Sequence, residues 1–151
     1  MVPATFRFRL ERVRALHERH EKHARLELAL AIGRLSASEE ALRQTNEQLA
    51  EAHEGQRSAA GGALSGAEMR ASQAFMERIE SERTVGTQEV HRSAGEVADR
   101  NADFSHAAQK HRALERLKER RRGEHMREVA RHEIQVLDEI ALDGFRRRPA
   151  A

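Results

Sequence analysis

Residues 28–52 read LALAIGRLSASEEALRQTNEQLAEA, and residues 55–66 read GQRSAAGGALSG. In the first stretch Leu28, Leu35, Leu42 and Leu49 recur every seven residues, and Ala31, Ser38, Thr45 and Ala52 recur at the same interval between them. Steps of three and four put both sets on one face of a helix, which is the seam of a coiled coil. A leucine column beside a column of small residues suits close approach by a partner helix and leaves no room for a thick core. The second stretch carries four glycines in twelve residues and ends any helix that precedes it.

Composition agrees with this reading. Of the 151 residues 34% are charged, only 3% are aromatic, and there is no Trp, Tyr or Cys. Five Phe are too few large side chains to fill the interior of a compact domain of this length, so a deep enzyme core is not expected. The only prolines are Pro3 and Pro149, and the abundant residues between them are strong helix formers, which separates the chain from disordered polar sequences. Without cysteine there is neither a disulfide framework nor a thiolate site. No apolar run approaches the roughly 20 residues of a membrane span, so the chain reads as soluble and intracellular, without direct membrane insertion.

Working towards the N-terminus, the seam continues through Ala24, His20, His17, Val13, Leu10 and Phe6 if one extra four-residue step is accepted between Ala24 and Leu28. Such a step is a stutter, which unwinds the supercoil locally. Working towards the C-terminus, Ser65 followed by Glu68 is a capping box that starts a second helix. Met69, Phe75 or Met76, Ile79, Val90, Val97, Phe104, Ala108, His111, Leu114, Leu117, Val129, Val136 and Ile140 carry that helix, and Gly86 and Gly95 weaken it. The expected fold is all-α, a long antiparallel two-helix coiled-coil hairpin forming a single domain over 1–151. Its parts are a first helix at 5–54, a glycine-rich turn at 55–66, a second helix at 67–145 with 86–95 as the place where it can kink or fold back, and a basic tail at 146–151.

A turn at 55–66 sets residue i opposite about 121 − i, so Phe6 is expected near Glu115. The second helix then outruns the first from about residue 120, and an end bearing Val129, Val136, Ile140 and Phe145 calls for a partner. Charge is segregated along the chain: net +4 over 1–25, −6 over 39–103 and +5 over 107–132. Both termini meet at the open end of such a hairpin, so that end is basic and the turn half acidic. A rod of this kind can enter a complementary socket end first, steered by its own field.

No catalytic arrangement is present. GGALSG lacks the Gly-Lys-Ser/Thr of a phosphate loop, His132-Glu133 has no second His at the zincin spacing, and no G-x-S-x-G occurs. His17, His20 and His23 form the best metal candidate, but steps of three carry the third ring off the face of the first, so no metal site or cofactor is expected. Leu117-Lys118-Glu119-Arg120-Arg121-Arg122 is basic enough to raise nucleic acid as a partner. Glu115, Glu119, Glu124 and Glu128 interrupt that surface and no Tyr or Trp offers stacking, so nucleic acid is not expected. A basic nucleic-acid-binding coil and a passive scaffold stand as the alternatives from other classes.

Phe6-Arg7-Phe8-Arg9-Leu10-Glu11-Arg12-Val13, Leu114-Glu115-Arg116-Leu117-Lys118-Glu119-Arg120-Arg121 and Leu137-Asp138-Glu139-Ile140-Ala141 resemble, in order and spacing, the FliJ family of bacterial flagellar export proteins. The resemblance covers nearly the whole chain. It implies a nonenzymatic hairpin similar to the central stalk subunit of rotary ATP synthases, cytoplasmic and peripheral at the inner face of the cell membrane through the type III export apparatus. Implied partners are the hexameric flagellar export ATPase, the cytoplasmic domain of the export gate, and export chaperones. Carried over to this sequence, Phe6, Phe8, Arg120, Arg121, Arg122, Asp138, Glu139 and Ile140 face the ATPase, and Phe75 with Ile79 are the candidates for the gate, ordinary seam packing being the competing role for that pair. A stalk protein of a virulence type III secretion system shares the same shape and is the nearest alternative.

Overall fold

The computed structural model of the protein describes residues 5–59, 61–62 and 65–146. Two helices account for almost all of them: α1, Glu11–Ala59, 49 residues, and α2, Gly66–Arg146, 81 residues. They pack against each other as an all-α coiled-coil hairpin. The basic tail expected at 146–151 lies outside the described residues apart from Arg146.

The helix ends differ from the sequence expectation for local reasons. Residues 5–10 are not helical, and α1 begins where the Glu11 amide donates to the Phe8 carbonyl at 3.2 Å and the Arg14 amide to the Leu10 carbonyl at 2.9 Å. At its other end α1 passes straight through Gly55, because one exposed glycine costs a helix about 1 kcal/mol and does not break it. α1 ends at Ala59, and the Gly62 amide donates to the Ala59 carbonyl at 3.0 Å. The capping box forms: the Ser65 amide donates to Glu68 Oε2 at 2.8 Å and the Glu68 amide to Ser65 Oγ at 3.3 Å. α2 is helical without interruption through Gly86 and Gly95, so the chain does not fold back there. Gly86 is a seam residue, and a Cβ on it would sit 3.3 Å from Leu42 Cδ1. Its lack of a side chain serves the approach of the two helices.

The contacts within the chain gather into two units, Lys22–Ser105 and the combination of Met1–Glu21 with His106–Ala151. In the inner unit the residues of α1 withdrawn from solvent include Ala24, Leu28, Ala31, Leu35, Ser38, Leu42, Thr45, Leu49 and Ala52, the seam expected from the repeat, together with Glu27 and Ala59. Leu49, Met76 and Ile79 form its buried cluster, with Ala52 against it. Farther along, Ser93 is buried and its hydroxyl lies 3.3 Å from that of Ser38, while Ser38 also donates to the Arg34 carbonyl. Arg34 forks onto the Glu96 carboxylate, and the Arg25 guanidinium lies 5.6 Å from the centre of the Phe104 ring. Each facing residue lies about nine positions further along α2 than the expected pairing, and the placing of the helix ends at Ala59 and Gly66 accounts for about four of these.

The terminal unit has a different interior. Leu10, Val13 and His20, expected in the seam, are exposed, and the positions turned towards α2 include Glu11, Arg14, Glu18 and Glu21. Arg14 and Glu21 stand fourteen and seven residues before Leu28, so the heptad needs no stutter. Its seam positions are simply charged. Arg14 donates to Glu115 at 2.6 Å and also contacts Glu11 and Glu18, Lys118 Nζ lies 3.0 Å from Glu11, and His111 Nδ1 lies 2.6 Å from Glu21. Every residue from Glu133 to Arg146 is exposed, so the unpaired stretch of α2 begins later than the expected 120.

Candidate partner-binding surface

The residues singled out in the sequence fall in two places. In the terminal unit the non-helical segment 5–10 lies along α2 and forms a cleft whose lining includes Phe6, Phe8, Leu117, Arg121, Glu124 and His125. The Phe6 and His125 rings are 5.8 Å apart between centres, tilted at 41°. His125 Nε2 is buried with no hydrogen-bond partner among the described residues. Arg7 and Arg9 also line the cleft. Arg121 is held by Glu124 at 3.0 Å, whereas Arg120 and Arg122 point into solvent.

Electrostatics set this region apart. Residues 5–21 and 106–132 of the terminal unit together carry a net charge of +7. Hydrogen bonds from Arg14 and then Lys118 hold the Glu11 carboxyl below its ordinary range, and the Arg14 guanidinium is raised in turn by its bonds to Glu11 and Glu115. That network fixes the start of α1 on α2 with ion pairs where the inner unit uses leucine. Beyond it, Asp138, Glu139 and Ile140 are all exposed on the free end of α2, Ile140 at 63%. They share that end with Met126, Ile134, Leu137 and Phe145, each more than half exposed. Segment 5–10, residues 120–122 and residues 138–140 thus belong to one unit.

Phe75 and Ile79 lie in the inner unit and differ from each other. Ile79 is 2% exposed and is consumed in the cluster with Leu49 and Met76, which is the seam role. Phe75 is 43% exposed, with the Arg78 guanidinium 5.4 Å from its ring centre. Of the two, only Phe75 is open to solvent.

Two features were missed by sequence reasoning. His125 was not singled out, because only the non-helical course of 5–10 brings Phe6 to it. The breadth of the apolar arc on the free end was also overlooked, although plotting 126–145 at 100° per residue reveals it. Among the described residues no helix is long and apolar enough to cross a membrane. In comparison with known proteins, the family model described as Flagellar FliJ protein matches residues 6–150. No curated protein and no solved structure gives a match.

Proposed function

The chain belongs to the FliJ family, whose members are components of the flagellar type III export apparatus, and from that premise we propose that it works by docking between the export ATPase ring and the export gate. The terminal unit enters the pore of the hexameric ATPase, with Arg120, Arg121 and Arg122 meeting acidic groups there, segment 5–10 presenting Phe6 and Phe8, and the free end of α2 carrying Asp138, Glu139 and Ile140. The exposed ring of Phe75 is the contact offered to the cytoplasmic domain of the gate, and export chaperones are further clients. The protein contributes binding and positioning, without chemistry of its own, and is held at the inner face of the membrane through its partners.

The observation that carries this reading is the combination, within one unit, of a net charge of +7 over residues 5–21 and 106–132 with an uncovered apolar helix end. Such a surface gains steering from its charge and affinity from apolar burial. The flagellar alternative is favoured over a virulence system by the family match itself. The test is co-purification of the full chain with the ATPase, paired with motility of a deletion strain. Recovery of the ATPase and loss of motility restored by the gene support the reading, and failure to recover the ATPase contradicts it.

A further inference from the structure

In the terminal unit His111 stands with a carboxylate at each of its ring nitrogens. Nδ1 lies 2.6 Å from Glu21 Oε2 on α1, and Nε2 lies 3.3 Å from Glu115 Oε1, one turn further along α2. The imidazole and the Glu21 side chain are largely shielded, at 18% and 15% exposed. Nε2 itself is buried and has no hydrogen-bond partner among the described residues. Glu115 is tied in turn to Arg14 of α1 at 2.6 Å, so the ring belongs to a chain of groups that passes from one helix to the other twice. The other charged or titratable groups on this stretch of α1 are His17 and Glu18, with Lys22 and Arg25 following, and on the same face of α2 Lys118, whose Nζ is on Glu11. None of them donates to Nε2.

A neutral imidazole carries one N–H and one lone pair. Whichever nitrogen holds the proton, the other turns its lone pair towards a carboxylate, and at Nε2 no water reaches the contact. The imidazolium has a donor on each side, and each donor meets an acceptor. We infer that His111 is a proton-operated clamp, which with its ring charged holds the start of α1 to α2 through Glu21 and Glu115, and with its ring neutral holds it less firmly. Histidine is the side chain that ordinarily changes charge between about pH 5 and pH 8. The hold is therefore present at the lower end of that interval and is lost as the pH rises across it. Protonation of Glu11, below its ordinary value of 4.5, acts in the opposite sense. The clamp bears on the first turns of α1, and it does not depend on the ATPase reading.

The test is amide hydrogen exchange of the purified full chain at about pH 6 and about pH 8, read as protection factors so that the intrinsic pH dependence of exchange is removed. Residues 42–52 of the inner unit serve as the reference. In the wild type, protection over residues 11–21 relative to that reference is expected to be several-fold higher at the lower pH. His111→Gln, which keeps a neutral hydrogen-bonding side chain, is expected to abolish the difference with helicity unchanged. Glu21→Gln, which leaves the imidazole in place beside a neutral partner, is expected to reduce it. Equal relative protection at the two pH values in the wild type would overturn the inference whatever the variants do. A full response retained in folded His111→Gln would overturn it as well, by assigning the response to another group.

Discussion

At Gly86 and Gly95 the same residue type stands in two different environments. A Cβ at Gly86 would press on Leu42 Cδ1 at 3.3 Å, while nothing lies within 4 Å of one at Gly95, and neither glycine has a positive φ. Gly95→Ala therefore gains the helix-propensity difference of about 1 kcal/mol. Gly86→Ala gains less or none, because Leu42 must shift. Urea unfolding of the two variants side by side checks this, and equal gains would mean that Gly86 is not in the seam. Ile79 and Phe75 form a second contrast. Removing the buried Ile79 side chain as Ile79→Ala costs about 2–3 kcal/mol. The half-exposed ring of Phe75 is lost for about 0.5 kcal/mol, which makes Phe75→Ala a clean probe of partner binding. A larger thermal shift for Phe75→Ala than for Ile79→Ala would reverse these roles.

At the level of the helices, α1 is joined to α2 by two chemistries. From Ala24 to Ala52 the contact is largely apolar, with Leu49 on Met76 and Ile79 and Leu42 beside Gly86, and in the terminal unit it is Arg14, Glu11 and Glu21 against Glu115, Lys118 and His111. Glu11 has a depressed pKa in the folded chain, so its contribution is complete above the ordinary value of 4.5 and is lost as the pH falls through the lowered one. Acidification should therefore release the first turns of α1, seen as faster amide exchange over residues 11–21. Glu11→Gln should remove this component of the acid response, and an unchanged response in that variant would show that Glu11 does not contribute to it. The same contrast explains what could be read from the sequence. Hydrophobic periodicity identifies a seam only where its positions are apolar, so Leu28 to Leu49 announced themselves. Leu10 and Val13 drew the pattern one residue out of register, because Arg14 and Glu21 look like solvated residues until their partners on α2 are known. The hairpin and its capping box were legible. The length of the turn was not, since Gly55 reads as a break and costs only what one exposed glycine costs.

For the whole molecule, the candidate surface was legible as chemistry and less so as geometry. The basic residues 120–122, the acidic pair at 138–139 and the aromatic start could be picked out because charge and resemblance do not depend on pairing. The exposed face of the α2 end, the burial of Ile79 and the cleft at His125 depend on which residues face each other, and a displacement of about nine positions changes all three. What remains is a distribution of charge, net +7 over residues 5–21 and 106–132 and net −4 over residues 22–105. On this account the terminal unit docks through that positive field. The most direct measurement is the affinity of the full chain for the purified hexameric export ATPase, wild type against the triple variant Arg120→Glu, Arg121→Glu and Arg122→Glu, with helicity and melting recorded for both. Binding weakened about tenfold or more, at unchanged fold, is the predicted result; equal affinity in a folded variant would contradict it.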